Sequence, residues 1–390
     1  MNGKNFKSIS TIIVLITVIL TLIPVDSFCD ESPYAETAVA NVRGKVNRVL
    51  ESRDEDIEYS GGSLQDTFQI VEIKITTDGL YKDRLIEAEY SQSMSFNEKQ
   101  DNSSLKPGNE VLMVLEIDEA GEISQAYIYS VVRDKHLLLL LIIFSVIILS
   151  VGKLKGLKAL ISLVLTILSI IYILLPLILN GFDPVFVSIW ICVAIAGITL
   201  LLVSGYNKKT LAAIIGTSGG LICAGVIAQI IGELAKLTGL GDEESQLLMF
   251  IPQDVSFDFK GLLFAGILIG ALGAAMDVGM SLSSAMFEIK EINPEIKKGK
   301  LLKAGMNIGR DMIATMSSTL ILAYTGGSLQ LMLLFMAHEI PFTDIINQDV
   351  YATEVVRSLA GSIGLILTIP ITAIAVSLLS EKSHREKERY

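Results

Sequence analysis

The sequence predicts a polytopic α-helical membrane bundle of about seven spans, preceded by a small all-β domain. Three observations predict it. Hydrophobic residues make up 51% of the 390 positions, and the mean hydropathy is +0.56, a membrane composition. From residue 137 onward, apolar stretches close to the ~20 residues that cross a bilayer follow one another between short polar loops. Residues 30–134 are instead polar and acidic, with β-branched residues in alternation. The net charge of −11 therefore divides by region, because the bundle's basic loops carry most of its lysines.

In chain order, Lys4 and Lys7 precede an apolar run from Ile9 to Ile23. That reads as a secretory signal or an uncleaved signal-anchor over residues 1–29. Asp26 and Phe28 do not suit a lipidation motif at Cys29. Residues 30–135 read as an extracytoplasmic β domain, with strands at 39–50, 67–76, 83–90, 109–117 and 123–132. Residues 118–121 form a hairpin turn between the last two. About five short strands in ~100 residues suggest a small OB-like or SH3-like barrel. The region is acidic and poor in aromatics, which argues against nucleic acid as a partner.

The bundle occupies residues 136–380. Its spans are 137–151, 157–179, 185–204, 211–231, 261–287, 312–325 and 359–379, with a short apolar segment at 329–340. Lysine and arginine in short loops set the orientation. Lys153, Lys155 and Lys158, then Lys208 with Lys209, then the loop from Glu288 to Arg310, mark the inside. The acidic loop 233–258 marks the outside. A cytoplasmic tail at 381–390 then requires the 329–340 segment to be re-entrant, with Gly326 and Gly327 supplying the corner. The whole reads as a multi-pass protein of the cell membrane.

The chemistry concentrates between Gly261 and Thr325. Asp277 is the one charge inside its span, and a carboxylate in hydrocarbon costs roughly 2.5–3.5 kcal/mol, so it should face a bundle interior or a cavity. Gly266, Gly270, Gly273, Asp277, Ser281, Ser284 and Glu288 follow at spacings of three or four and share one stripe of the helix. Gly266, Gly270 and Gly273 suggest close helix packing. Asp277, Ser281 and Ser284 form an oxygen-rich set suited to a proton or hard cation. Arg310 and Asp311 open the next span. Arg310 is a candidate partner for Asp277, and Asp311 with Thr315 and Ser318 could line a pathway opposite it. His338 and Glu339 end the short apolar segment as a candidate gate.

The run GAAMDVGMSLSSAMFEIKEINPEIKKGKLLKAGMNIGRDMIATMSSTLILAYTGGSL, residues 273–329, resembles the signature of the YibE/F-like family of bacterial membrane proteins. An exported N-terminal domain followed by a multi-span bundle is similar to that family's plan. The resemblance implies an integral cytoplasmic-membrane protein and brings no activity with it.

Three classes of function remain. The first is a transporter or permease for a small ion or polar solute, without a Walker motif to couple it to nucleotide. The second is a scaffold or signalling partner, with the bilayer, a protein bound by the outer domain and a second copy of the chain as its partners. The third is an intramembrane aspartyl protease using Asp277 and Asp311, although the second reads GRD rather than GxGD and no Pro-Ala-Leu motif follows. No cofactor is indicated. Cys29, Cys192 and Cys223 make no CxxC, and His136, His338 and His384 are too dispersed for a zinc motif.

Overall fold

The structure, a computed structural model, describes residues 38–59, 62–92, 104–118, 121–250 and 257–387. The expected signal or anchor with Cys29, and the chain from residue 388, lie outside the described residues. The chain divides into two compact units that meet between Ile142 and Ile143.

The first unit is a closed five-stranded barrel of β1 (Ala38–Tyr59), β2 (Gly62–Ile75), β3 (Leu85–Gln92), β4 (Glu110–Ile117) and β5 (Ile123–Val131). Around the barrel the order is β1-β2-β3-β5-β4. Only the β3–β5 contact, Glu89 against Tyr127, is parallel. Alternation does the sorting: in β4, Val111, Met113 and Leu115 point inward with no exposed surface, between partly exposed neighbours. They meet Val71, Ile73, Ala88 and Ile128 in one core. Gly44 lies where β1 comes closest to the core side chains of β2 and β4. A Cβ there would collide with Ile73 and Met113. Buried Gln69 accepts the Leu105 amide proton at 2.7 Å, so its carbonyl is satisfied in the core. The sequence placed the end of the first strand at residue 50. It runs to Tyr59 because the hairpin with β2 continues to the Tyr59–Gly62 pair, through charged residues that carry no core pattern.

The second unit is helical. Its chain enters through α1 (Asp134–Ser169), which continues through a π-turn at Ile170–Leu174 into α2 (Leu175–Leu179). Then come α3 (Pro184–Ser204), α4 (Lys208–Leu234), α5 (Glu243–Leu248), α6 (Phe259–Ile292), α7 (Lys298–Gly327), α8 (Leu329–Ala337), α9 (Phe342–Ile346) and α10 (Asp349–Lys387). Among the described residues five helices are long and apolar enough to cross a membrane, or six if α7 and α8, bent by 56°, count as one broken span. α1 is not straight. Lys153 takes φ 50° and ψ −127°, and Gly156 then comes against the Ile148 carbonyl, so the chain doubles back there. Asn207 and Asp183 cap α4 and α3, each accepting an amide proton from the first turn.

The bundle core is the seam between α4 and α10. Gly220 faces Gly364, so close that a Cβ on Gly220 would sit 2.7 Å from the Gly364 carbonyl oxygen. Thr368 and Thr372 fill the neighbouring positions, fully buried against Gly220 and Gly216. The small and hydroxyl faces of these two helices thus meet each other, the arrangement that lets apolar spans associate. Thr368 donates to the Gly364 carbonyl at 3.0 Å and Thr217 to that of Ala275 at 3.3 Å. α6 packs across this seam with its bulky side. Leu268 enters the gap above Gly225, and Phe264 the gap above Gly232. Ser283 on α6 donates to the Lys209 carbonyl at 2.7 Å, so the C-terminal end of α6 and the N-terminal end of α4 lie together at a lysine-rich end.

Candidate functional site

α6 buries one face and leaves another open. Leu263, Phe264, Ile267, Leu268, Ala271, Leu272, Ala275, Val278, Leu282 and Met286 are buried. Gly266, Gly270, Gly273, Asp277, Ser281 and Glu288 are exposed, and Ser284 is half-buried. The helix-packing reading of this stripe therefore does not hold within the chain. A Cβ on Gly266 or Gly273 would meet nothing within 4 Å; only Gly270 has a close neighbour, the Tyr324 hydroxyl on α7. The reason is that the packing glycine of α6 is Gly279, on its buried face against Ala213 and Thr217, and that further glycines admitting its side chains sit on the neighbours. Gly225, Gly232 and Gly305 receive Leu268, Phe264 and Met286, and the larger residues of α6 act as knobs.

α7 is amphipathic in the same unusual sense. Leu301, Gly305, Gly309 and Leu320 are its buried residues. Arg310, Asp311, Thr315, Ser318 and Thr319 are exposed. Ser317 Oγ and the Tyr324 hydroxyl are buried with no partner among the described residues. The exposed hydroxyls are satisfied on their own helix: Thr315 donates to Met312, Ser318 to Ala314 and Thr319 to Thr315, at 2.7–3.1 Å. The charges are not. Arg310 donates to Asn307 one turn back at 3.3 Å. Among the described residues Asp277, Ser281, Ser284 and Asp311 make no hydrogen bond, and the two aspartates no ion pair. The Asp277–Arg310 pair considered from sequence is not formed.

The α6 stripe leads into a hollow of about 610 Å³ lined by Ser284 and Glu288 of α6, Lys208 and Lys209 of α4, and Ser380 of α10. The stripe thus connects the carboxylate at mid-helix to a polar recess at the lysine-rich end. His338 and Glu339 lie apart from it. His338 is the last cap of α8, with Nδ1 2.9 Å from the Leu334 carbonyl, and Glu339 takes a left-handed φ of 52°. Both are exposed and act locally on the end of a short helix.

Sequence reading missed the charge cluster at the opposite end. Arg357 on α10 pairs with Glu354 at 2.7 Å and with Asp242 at 3.2 Å. Glu354 also accepts from Ser328 at 3.1 Å, and Asp349 from Thr238 at 2.5 Å. These contacts join the loop after α4 and the α7–α8 corner to the start of α10. Arg357 precedes the apolar run of its span, so hydropathy alone left it outside; its place eight residues into a helix could have raised it. Thr353 and the Arg357 Nε are buried without a partner among the described residues. Among those residues no three His, Cys, Asp or Glu side chains converge as a metal site would require.

The fold and this site define a class: a multi-helix integral membrane protein with a polar, charged face on two adjacent apolar helices and a small β-barrel ahead of them. The family model for YibE/F-like protein matches residues 140–382. The chain belongs to the YibE/F-like family. No curated protein and no solved structure shows significant similarity to it.

Proposed function

We propose that the chain is a transporter or permease of the cell membrane for a small ion or polar solute, with Asp277 on its pathway. The observation that carries this reading is an unpaired carboxylate in the middle of an apolar helix, on a stripe that descends to a polar hollow. Such residues mark ion pathways, because a helix that only needs an anchor has no use for the cost. Ser281 and Ser284 extend the stripe, and Arg310, Asp311 and Thr315 border it from α7. Orientation follows the lysines: the end with Lys208, Lys209 and Lys290 faces the cytoplasm, and the end with Asp242, Asp349 and Glu354 faces out. Counting α1 as two spans that meet at Lys153, and α8 as re-entrant, gives seven crossings and a cytoplasmic tail. The barrel is then extracytoplasmic, and its strand order with one parallel contact favours the OB-like alternative.

The test is uptake into lipid vesicles by the full-length chain, with a pH-sensitive dye and with monovalent and divalent cations. Wild type should move one of them, and Asp277→Asn should fold yet lose at least about tenfold in rate, as loss of a group needed at the barrier does. Equal transport by Asp277→Asn, or none by wild type with any tested ion or small polar solute, would refute the reading. The second reading is a scaffold whose barrel binds another protein. Its supporting observation is the exposure of Phe68, Tyr127 and Tyr129 on the barrel surface.

A further inference from the structure

The outward face shared by α6 and α7 is built backwards for a surface that meets lipid. Elsewhere the exposed residues of the bundle are large and apolar, such as Phe186 and Trp190 on α3 and Ile222, Val226 and Ile230 on α4. Here they are Gly266, Gly273, Asp277, Ser281, Arg310, Asp311 and Ser318. Hydrocarbon cannot solvate the charges, and the described residues supply Asp277 and Asp311 with no partner and Arg310 with only Asn307.

We propose that this face is the interface with a second copy of the chain, in which Asp277 of each copy pairs with Arg310 of the other. Charge complementarity selects this occupant. Copies of one chain enter the membrane the same way round, so a two-fold axis runs along the membrane normal and brings together residues of similar depth. The contact is then reciprocal, as in any isologous dimer. The depths agree. Gly270 against Tyr324 and Gly305 against Met286 fix α6 and α7 as antiparallel neighbours. In that register Arg310 stands about 8.5 Å along the axis from Asp277, about one and a half helical turns and within the combined reach of an extended arginine and an aspartate. The strip thus carries both signs where a copy turned by 180° presents them in reverse. Gly266 and Gly273, with open space above them, permit the close backbone approach that such a contact needs. The inference does not rest on transport: Asp277 is unpaired among the described residues of one copy. In the pair, a transported ion would have to displace Arg310 of the other copy from it.

The experiment uses the full chain in lipid vesicles. Single-molecule bleaching of the labelled, otherwise unaltered chain at low density should give two-step traces; single steps throughout overturn the proposal without recourse to any variant. Gly273→Cys, with Cys29, Cys192 and Cys223 changed to Ala, should form a disulfide-linked dimer on oxidation, and Trp190→Cys on the lipid-facing side of α3 should not. Asp277→Arg and Arg310→Asp should each weaken dimerisation about tenfold or more, and the two together should restore it. Equal cross-linking at positions 190 and 273, or no recovery in the exchanged pair, refutes the pairing. Reaction of Gly273→Cys with a water-soluble thiol reagent but not with its own copy means a water-lined groove instead, and also overturns it.

Discussion

Replacing Gly364 with alanine tests the α4–α10 seam on which the bundle is assembled. A Cβ at 364 would stand 2.8 Å from the Gly220 carbonyl oxygen, and nearer still to the Ala224 Cβ. Ordinary contact begins at 3.4 Å and the nearer neighbour is the Ala224 Cβ, so the helices must part by about 1.0 Å to admit one methyl group. A gap of that size forfeits roughly a quarter to a half of the dispersion attraction across it. Overpacking of this kind costs about 1–3 kcal/mol. Against it stands the gain of alanine over glycine in a helix, about 0.8–1.0 kcal/mol. With two obstructing neighbours, one of them backbone, the steric cost falls at the upper end, and the net loss should be about 1–2 kcal/mol. Gly197→Ala on α3 is the control, since nothing lies within 4 Å of its Cβ. It should be neutral or gain up to about 1 kcal/mol. Reversible unfolding in mixed micelles with rising SDS fraction reads both variants on one scale. If Gly364→Ala is as stable as Gly197→Ala, the two helices are not in backbone contact and the reasoning fails.

Ala271→Leu should destabilise the bundle by about 1–3 kcal/mol in the same assay, because Ala271 is 1% exposed against Gly361, whereas Gly266→Leu should leave the unfolding midpoint of the monomer unchanged. Arg357→Gln strips Glu354 and Asp242 of their shared cation and should cost about 1–3 kcal/mol, with Glu354→Gln added to it recovering part of the loss in a double-mutant cycle. In the barrel, hydrogen bonds from Asn47 and Arg48 hold the Glu72 carboxyl below its ordinary range, and the Lys74 ammonium does the same for Asp83. Both groups have depressed folded-state pKa values, so their contribution is present at neutral pH and disappears as the pH falls below about 4. Near-ultraviolet dichroism of the barrel tyrosines under urea should show a small fall in stability across that window, because both pairs are solvent-exposed, and Glu72→Gln should lessen it.

The barrel was legible because a two-residue period survives any register: Val111, Met113 and Leu115 announce an inward face before their partners are known. The spans were legible because hydropathy is a property of composition. The side of α6 that packs was not. Its stripe of Gly266, Gly273 and Asp277 stands out only because the rest of the helix is uniformly apolar, and uniform apolarity hides which residues are inserted into a neighbour. That information resides in Gly225, Gly232 and Gly305, on other helices and 19–43 positions away in sequence from the residues they receive, too far for any local pattern. Gly216 with Gly220 and Thr368 with Thr372 recur at four-residue spacing on two helices, but that spacing does not say that the two faces meet each other. Arg357 was missed for the opposite reason. A charge beside an apolar run reads as a loop residue until its helix is known to begin at Asp349.

The reversal in α1 has a mechanical consequence. Leu137, Leu139, Ile142, Phe144 and Ile147 are exposed around the circumference of the arm that precedes Lys153. An exposed helical arm carries tension along its own axis, so a pull along it bears on the corner at Lys153. Lys153 is a poor place for slack: a lysine at φ 50° stores on the order of 1–3 kcal/mol, and Gly156 holds the fold-back closed only while it stays against Ile148. Force enough to straighten that corner would release the stored strain and open the contact together, which makes the corner a yield point with a threshold rather than a spring.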